Sequence, residues 1–536
     1  MNLNSRRKLY LIILFVTSSL IFLFNLGGRD LWDPDETRYA VVAMEMKESG
    51  NWRLPHLNGQ LYAEKPPLFF WLVNLFTLCW GTYNEMANRL PSALAGLATI
   101  LLIFFFGERL FNVRVGFFSA FVLATCFLFP QLSRWMMMDS LFTLLFFLAL
   151  FYLWQGYAEE NRPLRYYLLA GLFMGLGVLT KGPIAYLPIP IFLIFSFSQK
   201  NVGKFWNRNL LFGFLISLLV VLIWLVPACW MGGKEYTKEI LLGQTIGRLA
   251  GKGRHFHPES IFFYFVRFPF GFLPWTFFIP AALIFGLRNG REKKILFLSI
   301  WFISIFLFFT FSKGKKDNYI LPLYPAAALM IGALWDSGLN SQGKGKGLFS
   351  GLISLFFLFL IILIGSLIRL PEKLYPSLEP YHGLGLYIIS YILGGLLLSS
   401  FFLIKKKRWL SFISLVATFT VFHLHISYIL PLEFNGQKSM KAFSKRILKR
   451  MDPKDELKTG FFRTAGLLYY TRKSYIEEIR RGDRFSEILR SPNRIFLVIQ
   501  SGDLDQIRKD LKMEMKPIEE RRVWHWDLVL ISNQER

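Results

Sequence analysis

Acid is scarce in this chain: 36 Asp and Glu stand against 62 Lys and Arg, a formal net charge of +26. That balance would suit nucleic acid, but much of the basic excess lies in short loops between apolar runs, a distribution that sets membrane orientation. No nucleic acid partner is therefore expected; anionic lipids and phosphorylated substrates fit better. Cysteine is rarer still. Cys79, Cys126 and Cys229 lie far apart in apolar surroundings, so neither a disulfide framework nor metal-ligand spacing is present, and packing is their expected role. No small-residue cleavage site follows the first apolar run, which ends in FNLGGRD; that run reads as a retained span. Nor is there an internal repeat strong enough to suggest the inverted halves of a transporter.

Apolar and aromatic residues are abundant, at 53% and 17% of the chain, with 57 Phe. Apolar stretches recur almost to residue 430. A hydrocarbon core about 30 Å thick needs ~20 such residues per helix, so the chain reads as an α-helical polytopic membrane protein. Thirteen crossings are expected, near 9–27, 89–107, 115–132, 140–156, 166–180, 183–198, 209–229, 269–288, 295–312, 320–335, 349–368, 384–404 and 409–430. Residues 1–433 form the expected membrane domain. Residues 434–536 change composition and alternate charged helical stretches with β-like runs, which suggests a small soluble α/β domain.

With the N-terminus in the cytoplasm, every inside loop is basic, including Arg109/Arg114, Arg162/Arg165 and Lys405–Arg408. One orientation satisfies them all, and an odd number of crossings places the C-terminal domain in the periplasm. Two long outside loops follow, at about 28–88 and 230–267. Residues 66–82 are apolar but short, and read as an interfacial or re-entrant helix.

The first outside loop concentrates acid. LWDPDETRYA (31–40) carries Asp33, Asp35 and Glu36. Asp33 suits an N-cap, Pro34 the first helical position and Glu36 the third, a capping-box-like start. Asp35 is left over, and on a helix Arg38 and Tyr39 share its face. Further along, NGQLYAEKPPLFFWL (58–72) puts Tyr62, Glu64 and Lys65 before a double proline. Lys65 at headgroup level can meet a phosphate or simply snorkel. Other outside ends also collect polar groups: Arg134 and Asp139; Lys181; Lys252, Arg254, His255 and His257; and Lys313, Lys315, Lys316, Asp317 and Tyr319. Cations on the face that the topology rule disfavours suggest an anionic ligand there.

DPDETRYA, NGQLYAEKPPLFFWL, LTKGP, HFHP and NYILPLYPAAAL together resemble the polyprenyl-phosphate-sugar-dependent glycosyltransferases of the GT-C fold. The likeness is to the aminoarabinose lipid A transferases and, more distantly, the protein O-mannosyltransferases. It covers most of the membrane portion. It implies transfer of a sugar from a lipid phosphate carrier, usually undecaprenyl phosphate, to a lipid A, glycan or protein acceptor outside the inner membrane, with inversion. It also implies Asp35 as the base or acceptor-orienting group, with Arg38 and Tyr39 beside it. Lys65 matches the lysine near the carrier phosphate, and Tyr62 and Tyr319 match cavity tyrosines. A zinc can sit near the cavity in the aminoarabinose transferases; its ligands match Glu64 and His255. This sequence departs from its relatives at Ala63, where they carry an aromatic residue, and in GKKDNYILP.

The chemistry fits these residue types. A lipid phosphate leaving group has a second pKa near ~6 and departs as a stable dianion without a general acid. Positive charge aimed at its oxygens is what it needs; Lys65, Arg254, Lys313 and Lys315 are the candidates, with Asp139 as a further substrate contact. No metal or nucleotide cofactor is required. A flippase of lipid-linked saccharides would also need many helices and external cations, but not a carboxylate poised outside. A surface-glycan polymerase or ligase would rest on the Arg254/His255 loop instead. Nothing in the sequence specifies an oligomeric state.

Overall fold

A computed structural model describes residues 3–159, 163–247, 259–288, 292–340, 345–368, 382–460, 465–479, 491–504, 508, 517–524 and 526–534. The fold is helical and multi-pass, with a small C-terminal sheet. Among the described residues eight helices are long and apolar enough to cross a membrane, or nine when the bent pair Phe263–Gly271 and Trp275–Gly286 counts as one span. The expected count of thirteen crossings is not reached by length and apolarity among the described residues. Backbone breaks account for most of the shortfall. The 115–132 segment divides at Cys126, whose extended backbone separates Val113–Thr125 from Leu128–Ser133. The 183–198 segment starts as a 3₁₀ turn, Pro183–Tyr186, before Pro188–Ser198. The 269–288 segment bends by 107° around Pro274. The segment expected to open the second large loop at 230 is helical on both sides of a kink at Gly233 (φ 74°, ψ −170°), through Arg208–Lys238, and passes into a π-helical stretch, Glu239–Gly247.

The chain divides into two compact units. The first comprises Met1–Phe24, Ser92–Val226 and Thr237–Ser427; the second comprises Asn25–Pro91, Pro227–Tyr236 and Tyr428–Arg536.

The first unit holds its helices together by aromatic interdigitation and small-residue crossings. Phe297, Trp301, Phe147 and Trp154 pack with ring centroids 4.8–6.1 Å apart. Gly171 and Gly213 let two helices touch backbone to backbone, since a Cβ on either would collide with the other helix's carbonyl groups. Close approach of this kind supplies the dispersion contacts that drive helix association in lipid. Several cations expected to face an outside ligand are committed here to structure. Arg134 is buried and donates to the carbonyls of Ile21 (2.9 Å) and Phe24 (2.6 Å), satisfying orphan acceptors around the end of Leu3–Leu23.

The second unit combines the first long loop with the C-terminal domain. Strands β1 (His56–Leu57) and β2 (Gln60–Leu61) form a hairpin around Asn58 and Gly59, with φ of 54° and 73°. An Asn-Gly pair tolerates the positive φ that such a two-residue turn demands. The C-terminal sheet contains β3 (Glu456–Gly460), β4 (Glu477–Ile479), β5 (Ile495–Gln500), β6 (Glu519–Val523) and β7 (Trp526–Ser532), in the order β4-β3-β5-β7-β6. β3 pairs parallel with β4 and β5, and the other pairs are antiparallel. The central β5 buries Ile495–Ile499 on both faces, which explains its unbroken apolar run. Helix Lys441–Arg450 matches the charged helical stretch expected over 440–450; the stretch expected over 484–489 lies outside the described residues, as does that over 504–511 apart from Leu504 and Arg508.

A buried charge cluster anchors the second unit. Glu36 accepts from Arg89 Nε (2.8 Å) and Nη2 (3.1 Å) and pairs with Arg29 Nη1 (2.7 Å). Arg89 also donates to the carbonyls of Leu26 (3.1 Å), Arg29 and Asp30 (2.8 Å). Burial pushes the Glu36 carboxyl up, but the Arg29 and Arg89 guanidiniums outweigh it and hold the group at about 2, below its ordinary 4.5. Removing one partner of such a buried pair typically costs about 3–5 kcal/mol, because uncompensated charge remains. Glu36→Gln should therefore lower the thermal unfolding temperature in detergent at pH 7. The contribution is fully present above pH 4.5 and fades as pH falls toward 2. The gap between variant and wild type should accordingly close over that window; a gap independent of pH would show that Glu36 contributes by shape alone.

Candidate active site

The acid-rich stretch does form a helix, Asp35–Glu48, but not by the expected capping box. Pro34 stands at the N-cap position and makes no side-chain bond. Asp33 instead accepts from the Thr37 hydroxyl one turn on, and Glu36 turns back to the Trp32 N–H (3.2 Å) and the two arginines. The arginine cluster claims the residue that the cap would have used. Most of Glu36–Met46 is buried.

Asp35 and Arg38 lie on one face, as their spacing predicts. Arg38 Nη2 donates to Asp35 Oδ1, and Nη1 reaches Glu64 Oε2 at 3.4 Å. Arg38 thus ties the helix to the strand-to-helix segment that follows the hairpin. Its side chain is 13% exposed, against 27% for Asp35 and 23% for Glu64, so the carboxylates face outward and the guanidinium sits behind them. Burial alone would weaken the Arg38 charge, but Tyr62, Tyr39, Asp35 and Glu64 outweigh it and raise the group above its ordinary range. Arg38 also lies over the Tyr39 ring, 5.4 Å from its centroid.

Tyr39 and Tyr62 are both 4% exposed. Their rings meet Phe69 and Phe70 edge-on at 5.9–6.3 Å. Those phenylalanines start the helix Leu68–Cys79. At about 1.5 Å per residue its 12 residues span roughly 18 Å, too short to cross a bilayer, in keeping with the interfacial reading. Lys65 is half-buried directly before Pro66 and Pro67.

The hairpin that precedes Tyr62, Glu64 and Lys65 is fastened to the helix by Glu45. This carboxylate accepts from the backbone N–H groups of Asn58 (2.6 Å) and Gly59 (3.1 Å). Burial raises the Glu45 carboxyl above its ordinary 4.5, and those two N–H groups only partly offset the rise. The sequence reading overlooked this clamp, although Asn-Gly is a strong turn signal.

The first unit contains a second polar cluster. Lys181 pairs with Asp139 and stands 5.3 Å from the Phe142 ring and 5.0 Å from the Tyr319 ring. Asp139 and Tyr319 were both expected at a site. Lys181, in LTKGP, brings them together, and a lysine closing an apolar helix before Gly-Pro was the available signal. Lys315 is 5% exposed and donates to the carbonyls of Ser312 (2.6 Å) and Glu259 (3.2 Å), so its ammonium holds a turn. Lys313 is exposed on the same turn. Arg254 and His255 lie outside the described residues.

Among the described residues no group of three or more His, Cys, Asp or Glu side chains is gathered to hold a metal. Glu64, one of two zinc ligands implied by resemblance, faces Arg38, a cation that competes for the same carboxylate. The other implied ligand, His255, lies outside the described residues, and no step is derived through a metal.

A family model described as dolichyl-phosphate-mannose-protein mannosyltransferase matches residues 64–227. An undecaprenyl phosphate-α-4-amino-4-deoxy-L-arabinose arabinosyl transferase 2 of Pseudomonas fluorescens is 34% identical over 69% of this chain and 67% of its own. A transferase of the same description from Pseudomonas aeruginosa is 30% identical over 73% and 70%. The crystal structure of ArnT from Cupriavidus metallidurans bound to undecaprenyl phosphate superposes with a TM-score of 0.81 at 19% identity, covering 98% of both chains. An archaeal oligosaccharyltransferase, AglB from Archaeoglobus fulgidus, shares the fold more loosely, with a TM-score of 0.52 over 94% of this chain and 70% of its own. The helical architecture and these likenesses agree: the chain belongs to the undecaprenyl phosphate-α-4-amino-4-deoxy-L-arabinose arabinosyl transferase family and is a membrane glycosyltransferase of the GT-C fold.

Proposed function

We propose that this protein moves a sugar from undecaprenyl phosphate, or a similar polyprenyl phosphate, to a hydroxyl of lipid A at the periplasmic face of the inner membrane. A glycan or protein hydroxyl would present the same chemistry. The observation that carries the reading is a partly exposed Asp35 carboxylate, gripped from its buried side by Arg38, on the loop that also holds Lys65. The basic inside loops support a cytoplasmic N-terminus and a periplasmic C-terminal domain.

The reaction is a single displacement. The acceptor oxygen attacks C1 of the sugar, the C1–O(phosphate) bond breaks, and the configuration at C1 inverts. The acceptor proton passes to Asp35, and the bonding electrons leave with the lipid phosphate. Base catalysis of this kind is worth roughly 10²–10⁴-fold. Arg38 cannot give up its proton and serves to aim Asp35 and Glu64. Lys65 meets the departing phosphate as a compact charge that strengthens as the bond breaks. The reaction is written without a metal or other cofactor. Placement at the rim of the bilayer follows from solubility, since the carrier tail stays in lipid.

Purified protein in detergent should transfer radiolabelled sugar from the monophosphate carrier to lipid A; redistribution of the carrier between leaflets without transfer would identify a transporter instead. Asp35→Asn keeps the shape and an oxygen for Arg38 but loses basicity. Its turnover should fall by at least ~10²-fold while donor binding persists, and wild-type turnover would remove Asp35 from the mechanism. Lys65→Ala should raise the donor KM more than the acceptor KM; an equal rise in both would indicate a folding role.

A further inference from the structure

The second unit contains an arrangement that the reaction above does not use. Residues 465–476 of the C-terminal portion, comprising helix Ala465–Thr471 and the turn after it, touch the Asp35 loop at both ends. At the start of the Asp35 helix, the Tyr470 hydroxyl accepts from the Leu31 N–H (2.7 Å). Gly466 lies against Asp33: a Cβ there would stand 2.5 Å from Asp33 Oδ2. Asp33 in turn accepts from Thr37. At the other end, Asn58 Nδ2 donates to the Ile476 carbonyl (2.8 Å), and Asn58 Oδ1 accepts from the Ile476 N–H (3.0 Å). The side-chain amide pairs with the backbone as a neighbouring strand would. Between the two ends, Arg472 Nη2 donates to the Tyr83 carbonyl (2.7 Å), and the Tyr469 hydroxyl accepts from Asn88 (2.8 Å).

We propose that residues 465–476 are a positioning element for sugar transfer, gripping the Asp35 helix through Gly466 and Tyr470 and the Lys65 hairpin through Ile476. Under this proposal, which rests on the assignment of Asp35 and Lys65, the C-terminal domain serves the chemical step. It sets where the base stands relative to the phosphate-binding lysine. Two groups on separate segments need such a brace, because a misplacement of about 1 Å can cost ~10²-fold in rate. The grip depends on residue types that bulk or charge would ruin. Gly466 leaves no Cβ between the helix and Asp33, which Thr37 already holds. Asn58 combines a positive φ with one donor and one acceptor.

Two variants test this independently. Ala ordinarily favours a helix over Gly, so Gly466→Ala harms only through Asp33 and the nearby Met440 side chain, whose Cγ would lie 2.7 Å from the new Cβ. Asn58→Asp tolerates the same φ and keeps the acceptor for Ile476 N–H, but it turns a carboxylate oxygen toward the Ile476 carbonyl. Glu519→Gln is the control: it perturbs the same domain by removing an ion pair with Arg446 and Arg450, away from the grip. Each variant should lower kcat by ~10–100-fold, leave the KM for donor and acceptor close to wild type, and speed amide hydrogen exchange across 35–48 and 56–61. The control should do none of these. Wild-type kcat with intact protection in either grip variant would overturn the proposal, as would an equal loss in Glu519→Gln. Asp35→Asn runs alongside. If it retained activity, the catalytic assignment would fail, while the exchange data would still judge the grip separately.

Discussion

The Glu36 carboxylate, enclosed by Arg29 and Arg89, is the interaction on which the second unit depends. Arg89 collects three backbone carbonyls as well as Glu36, so it fixes the path of the chain from residue 26 to residue 30. Glu36 fixes the helix that follows, and Asp35 and Arg38 are carried on that helix. Such a cluster is costly to desolvate and even costlier to leave half-made. It therefore admits few alternative arrangements, the rigidity that Asp35 needs for the base role proposed for it.

The cations expected on the outside face divide by what holds them. Arg134 satisfies carbonyls around a helix end, and Lys315 satisfies the carbonyls of a turn. Lys181 is neutralised by Asp139 between aromatic rings. The topology rule flags all of them as exceptions, yet an unexpected cation can serve backbone acceptors as readily as a ligand. Lys65 stays the strongest candidate for a phosphate because it sits beside a double proline and an interfacial helix, on the loop that carries Asp35.

Much of the fold was legible from residue pattern. The membrane class followed from apolar runs of bilayer length, the C-terminal α/β sheet from short β-like runs, and the Asp35–Arg38 pair from three-residue spacing on a helix. The number of crossings was less so. Hydropathy does not register the extended backbone at Cys126 or the bend around Pro274, which turn apolar sequence into short or broken helices. The capping box failed for a related reason: Asp33 and Glu36 had the right spacing, but partners from elsewhere in the chain took Glu36. The Glu45 clamp on Asn58 and Gly59 lay beyond periodicity altogether, since it joins the end of one helix to a turn more than ten residues later.

The sequence by itself determined the solvent the protein lives in and the chemistry it can do. Transfer into hydrocarbon is set by composition along the chain, and a carboxylate, an arginine and a lysine bring the charge types that the folded surroundings then tune. Only the tertiary structure decided which of those charged groups face outward and which are consumed as struts. That choice depends on long-range partners: Arg89 for Glu36, Glu64 for Arg38, Ile476 for Asn58. Desolvation and hydrogen-bond geometry, both properties of the folded neighbourhood, select among them.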